Sequence, residues 1–76
     1  MIQAPEIERK LREAFADAER IEVQDLTGTQ DHYKAVIVSA AFRGKSRVEQ
    51  HRMVYAALGD LMHGPIHALA LETRAP

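Results

Sequence analysis

Seventy-six residues with a formal net charge of -1 and no cysteine exclude a disulfide-stapled scaffold and a polycation. A chain this short buries only about 60% of the surface its unfolded form exposes, so it fits one domain, residues 1–76, with a thin core. No charged-then-apolar leader opens the sequence, and the longest largely apolar run, 35–42, is far too short to span a bilayer, so a soluble, cytoplasmic protein is expected.

Ile7, Leu11, Ala14, Phe15 and Ala18 recur at spacings of three and four, with Glu6, Glu8, Arg9, Lys10, Arg12 and Glu13 between them. That pattern predicts an amphipathic helix, with Pro5 in its first turn where a missing N–H costs nothing. Residues 20–25 alternate polar with apolar and predict a strand with one buried face. Residues 26–31 read as a loop in which Gly28 is free to take a positive φ. Tyr33 to Val38 is rich in β-branched and aromatic residues and predicts a second strand, paired antiparallel with the first through the short loop.

Ser46-Arg47-Val48-Glu49 fits a capping box and opens a second helix. Val54, Tyr55, Leu58, Leu61 and Met62 form its expected apolar stripe. Gly59 weakens the helix by about 1 kcal/mol relative to alanine and invites close packing. His63-Gly64-Pro65 is expected to stop it. A last strand then runs from Ile66 to about Thr73. Helix, strand, strand, helix, strand makes an α+β domain, with a three-stranded sheet covered on one face by two helices.

Catalytic signatures are missing. There is no nucleophilic cysteine, no G-x-S-x-G elbow, no phosphate-cradling glycine loop and no H-E-x-x-H. Asp31-His32, Ser39 and Ser46 supply elements of acid–base chemistry in no recognisable arrangement, and a chain this small leaves little room for a ligand cavity of about 300 Å³. The expectation is a non-enzyme.

Four histidines remain. His63, at a helix end, is favoured there by the helix dipole. His51, in the first turns of the second helix, reads as a packed structural residue on the side of Tyr55 and Leu58. His32 opens the second strand. His67 interrupts the apolar run Ile66-His67-Ala68-Leu69-Ala70-Leu71, and imidazole is both the commonest metal ligand and a group that titrates near neutral pH. A lone histidine is more often structural than ligating. Arg43, Lys45, Arg47 and Arg52 face the single acid Glu49 between them, a local basic excess that suits an anion or a solvated helix surface.

Phe42-Arg43-Gly44-Lys45-Ser46, then His51-Arg52-Met53-Val54-Tyr55-Ala56-Ala57-Leu58, then His67-Ala68-Leu69-Ala70-Leu71, together resemble the BolA family, as does the hairpin from Leu26 to Val36. The combination Phe-x-Gly-Lys, His-Arg-x-Val-Tyr and His-Ala-Leu is specific, and it covers nearly the whole chain. The resemblance implies an αββαβ fold of KH-like (class II) topology without the Gly-x-x-Gly loop, a third strand parallel to its neighbour, and a short helical turn around Phe42 to Ser46.

BolA-like proteins pair with monothiol glutaredoxins, and the pair can hold a bridging [2Fe-2S] cluster, in cluster trafficking or iron and redox regulation. The resemblance makes His67 the expected cluster ligand. The second family ligand comes from the hairpin loop, where residues 27–31 hold neither histidine nor cysteine, so His32 is the nearest candidate. Such a cluster normally takes four ligands, mostly thiolates, with a histidine pair on one iron in Rieske centres. A chain without cysteine can supply only the imidazole half, so a cluster is expected only in complex with a glutaredoxin and glutathione, and none in the isolated chain. Some family members are transcriptional regulators, which makes DNA the alternative partner, through Arg43, Lys45, Arg47 and Arg52, with Lys34 as an addition. A homodimer is a further option, and a membrane is not expected.

Overall fold

The computed structural model describes residues 3–26, 28, 32–63, 66 and 68–76. Helix α1 spans Ala4–Ala14 with Pro5 in its first turn, and it buries Ile7 and Leu11. The apolar spacing continues to Ala18, yet the helix stops where Phe15 leaves helical geometry (φ -122, ψ 62) and its N–H caps the Leu11 carbonyl. Exposed i,i+4 ion pairs, Glu8 with Arg12 and Arg9 with Glu13, add a few tenths of a kcal/mol at most.

Strand β1, Arg20–Asp25, runs antiparallel to β2, His32–Val38, with Ile21 opposite Ile37 and Val23 opposite Ala35. The Asp25 carboxylate accepts the Gly28 N–H at 2.9 Å in the connecting loop, where Gly28 takes φ 77. After Val38 the chain makes a 3-10 turn, Ala40–Phe42, started by the Ser39 hydroxyl accepting from the Ala41 N–H. This is the short turn expected in that region, a few residues earlier.

Helix α2, Arg47–Leu58, begins with the expected capping box: the Glu49 N–H donates to Ser46 Oγ and the Ser46 N–H donates to Glu49 Oε1. It buries Val54 and Leu58. It ends earlier than expected, because Gly59 adopts φ 54 and caps it, and a 3-10 segment, Gly59–His63, follows. Gly59 is therefore a helix terminator, with open space around it, and not a close-packing site. Leu61 and Met62 pack on the core from that segment. Gly64 and Pro65, the expected stop, lie outside the described residues.

Strand β3, Ala68–Arg74, pairs parallel with β2, giving the order β1-β2-β3. A connection that carries a helix allows parallel pairing, which a tight hairpin cannot. Register places Tyr33 beside Leu69, Ala35 beside Leu71 and Ile37 beside Thr73. Tyr33, Ala35 and Ile37 are buried in one cluster with Ile7, Leu11, Val54 and Leu58, so both helices cover the same face of the sheet. His32, Lys34 and Val36 look out from the other face and are only half-buried. The fold is thus α+β with a mixed three-stranded sheet, as expected.

Tyr55 is the clearest departure. It was expected in the core, yet it is 41% exposed. Apolar residues lie on every side of α2, so the sequence pattern does not point to one buried face; packing selects the face of Val54 and Leu58 and leaves Val48 and Tyr55 outside. No helix among the described residues is long and apolar enough to cross a membrane.

Candidate functional site

His32 is the first residue of β2, half-exposed, and its carbonyl accepts the Leu26 N–H at 2.9 Å. Its register partner on β3 is Ala68, the residue that follows His67 in the chain. His67 itself lies outside the described residues. Its two neighbours are fixed: Ile66 is buried and donates its N–H to the Leu61 carbonyl at 3.0 Å, and Ala68 is held in the sheet. Ala68, beside His32, and Ala70, beside Lys34, are both exposed. No group of three or more histidine, aspartate or glutamate side chains suited to a metal occurs among the described residues.

Among the described residues His32 offers one imidazole at this end, and the absence of cysteine from the sequence means that any thiolate for a [2Fe-2S] cluster would come from elsewhere.

Arg43, Lys45, Arg47 and Arg52 are all exposed around the start of α2. Their backbone is tied down by a residue the sequence reading passed over. Gln50 Nε2 donates to the Phe42 and Lys45 carbonyls at 3.3 and 3.1 Å, and Gln50 Oε1 accepts from Thr73 Oγ1 at 2.7 Å. One side chain thus joins the basic turn, α2 and β3. No sequence signal marks it beyond its place one turn inside a capped helix. Lys34 lies apart, on the open face of the sheet in a groove of about 350 Å³ that Glu22 and Glu72 also line. A second groove, of about 310 Å³, runs between α2 and β3. Cavity size therefore does not exclude a ligand, contrary to expectation. His51 is half-buried and lines the second groove; His63 is exposed.

The backbone and hydroxyl of Ser46 donate to the Glu49 carboxylate, and Lys45 and Arg52 lie near it; together these hold its pKa below the usual value. A depressed carboxylate adds stability above its unfolded pKa, and that increment disappears as pH falls through the folded pKa. Glu49→Gln is expected to keep an acceptor for the Ser46 N–H while flattening this part of the acid limb, read by thermal unfolding from neutral pH to about pH 3. Ser46→Ala removes the cap itself, at about 1 kcal/mol, or roughly 4–8 °C in Tm for a chain of this size.

A mixed three-stranded sheet under two helices, with histidine at the head of its central strand and a basic turn before its second helix, defines a small α+β domain. Residues 8–76 match the sequence profile of the BolA family, described as BolA-like protein, and the chain belongs to that family.

It is 39% identical over 74 residues to the DNA-binding transcriptional regulator BolA of Escherichia coli (strain K12), covering 88% of this chain and 70% of that protein. It is 43% identical over 49 residues to human BolA-like protein 1, covering 64% of this chain and 36% of that longer protein. Among solved structures, the BolA domain of SufE1 from Arabidopsis thaliana superposes with a TM-score of 0.87 at 33% identity, covering 96% of this chain and 91% of that one.

Proposed function

We propose that this BolA-like protein is a non-enzymatic, cytoplasmic adaptor that pairs with a monothiol glutaredoxin and shares a bridging [2Fe-2S] cluster with it and glutathione. The observation that carries the reading is the His67-Ala68-Leu69 motif in a chain without cysteine, with Ala68 in register beside His32. In this reading His67 supplies an imidazole, His32 lies within the same end of the sheet, and the partner supplies the thiolates. The cluster, when bound, brings one-electron redox chemistry and iron to the pair; this chain holds one face of it. The test mixes the protein with glutathione-loaded holo-glutaredoxin and records visible absorption, circular dichroism and size exclusion. A new spectrum with a co-eluting complex is expected. An unchanged glutaredoxin spectrum with no complex ends the reading.

A second reading, DNA binding, is favoured by the four exposed cations at the start of α2 and by the name of the E. coli relative. Each phosphate neutralised adds about -0.9 to the slope of log affinity against log salt. Three or four contacts predict a slope of about -3, and Arg43→Ala with Lys45→Ala should lower it by about two contacts' worth. If no mobility shift appears at low salt, DNA is not a ligand.

A further inference from the structure

The two edges of the sheet are not guarded alike. A free strand edge presents unpaired N–H and C=O groups, which proteins ordinarily protect with charge or cover. The sequence of β1 carries Arg20, Glu22 and Asp25. By contrast β3 opens with Ala68-Leu69-Ala70-Leu71, which holds no charge. Among the described residues β3 pairs on one side only, with β2. The Arg74 carbonyl accepts from the Ser39 N–H at 3.0 Å and so faces β2. Backbone groups alternate in direction along a strand, which turns those of Leu69, Leu71 and Thr73 to the open side. The side chains of the same three residues face the helix layer, yet they remain only half-buried.

Beside this edge runs the groove of about 310 Å³ lined by Arg47, His51, Leu71, Glu72 and Thr73. Arg47 and His51 stand four apart on α2 and therefore share a face. By alternation the Glu72 side chain belongs to the far face of the sheet, so α2 offers the groove a fixed positive charge and a hydrogen-bonding imidazole. Gln50 holds the Lys45 backbone and Thr73 together at the same end.

We propose that the β3 edge and this groove form a docking site for an extended acidic peptide segment of a partner protein. The segment adds as a fourth strand, bonding to the backbone of Leu69, Leu71 and Thr73, with an apolar side chain on Leu71 and a carboxylate against Arg47 and His51. Charge selects this occupant over a second copy of the chain. Paired edge to edge, a second copy would turn Leu69, Leu71 and Thr73 toward the groove, and none of these carries a carboxylate. The surface requires no cluster, so it stands or falls apart from the glutaredoxin reading.

The test is an NMR titration of the isotope-labelled protein with an acetylated, amidated Thr-Val-Thr-Glu-Thr peptide, whose valine and glutamate share one face of the strand, beside a lysine-for-glutamate version and a version with proline at the central threonine. The amides of Leu69, Leu71 and Thr73 should shift. The glutamate peptide should bind about tenfold more tightly than either control, and Arg47→Ala with His51→Ala should remove about that factor, the equivalent of 1.4 kcal/mol. The proposal is overturned by β3 amides that do not move, by equal binding of the lysine peptide, or by shifts confined to residues 43–47. Concentration-dependent β3 shifts without peptide would replace it with self-pairing.

Discussion

Phe42→Ala is expected to lower the unfolding free energy by about 3–5 kcal/mol, against a total of roughly 4–11 kcal/mol for a chain of 76 residues. The Phe42 side chain is 1% exposed. Its ring meets that of Phe15 at 5.3 Å between centroids with a tilt of 51°, a geometry that adds about 0.5–1.5 kcal/mol beyond burial. The loss falls where α1 meets the turn before α2, and the Phe42 carbonyl also accepts from Lys45 and Gln50. Urea unfolding followed by far-ultraviolet circular dichroism measures it. Val48→Ala, on the exposed side of α2, is the control and should stay within about 0.5 kcal/mol of the parent. Equal costs at the two positions would show that Phe42 is not a core residue.

The other large effect concerns His67. Mixed with holo-glutaredoxin, His67→Ala is expected to leave the visible circular dichroism of the glutaredoxin unchanged, whereas His32→Ala weakens the new spectrum without removing it. In the proposed reading, a cluster iron that loses this imidazole finds no thiolate in the chain to replace it. His67→Cys supplies one, and it should restore a cluster signal at a lower reduction potential, since replacing thiolate by histidine raises the potential of such centres. A normal spectrum from His67→Ala, with thermal stability matching the parent, would assign the ligand elsewhere.

The legible parts of the fold were those encoded over a few residues. The Ser46–Glu49 box, the alternation in 20–25 and the β-branched run ending at Val38 each announce their element locally, and each formed as expected. Helix ends were less legible: Phe15 and Gly59 stop α1 and α2 by backbone geometry while the apolar pattern continues past both. Tyr55 and Val48 were unreadable because α2 carries apolar residues on every side, so only tertiary packing decides which side is buried. The candidate site came from residue types in a motif, which singled out His67, His32 and the basic turn. The Gln50 bridge was not, since its partners Phe42, Lys45 and Thr73 converge only after β3 docks.

The parallel pairing of β2 with β3 also orders events in time. His32 and Ala68 are partners separated by 36 positions, while β1 and β2 are joined by a short loop. Closing the longer span costs more chain entropy before any contact repays it. The hairpin and α1 are therefore expected to form ahead of the β2–β3 pairing, so that the strand end carrying His32 gains its β3 neighbour late in folding.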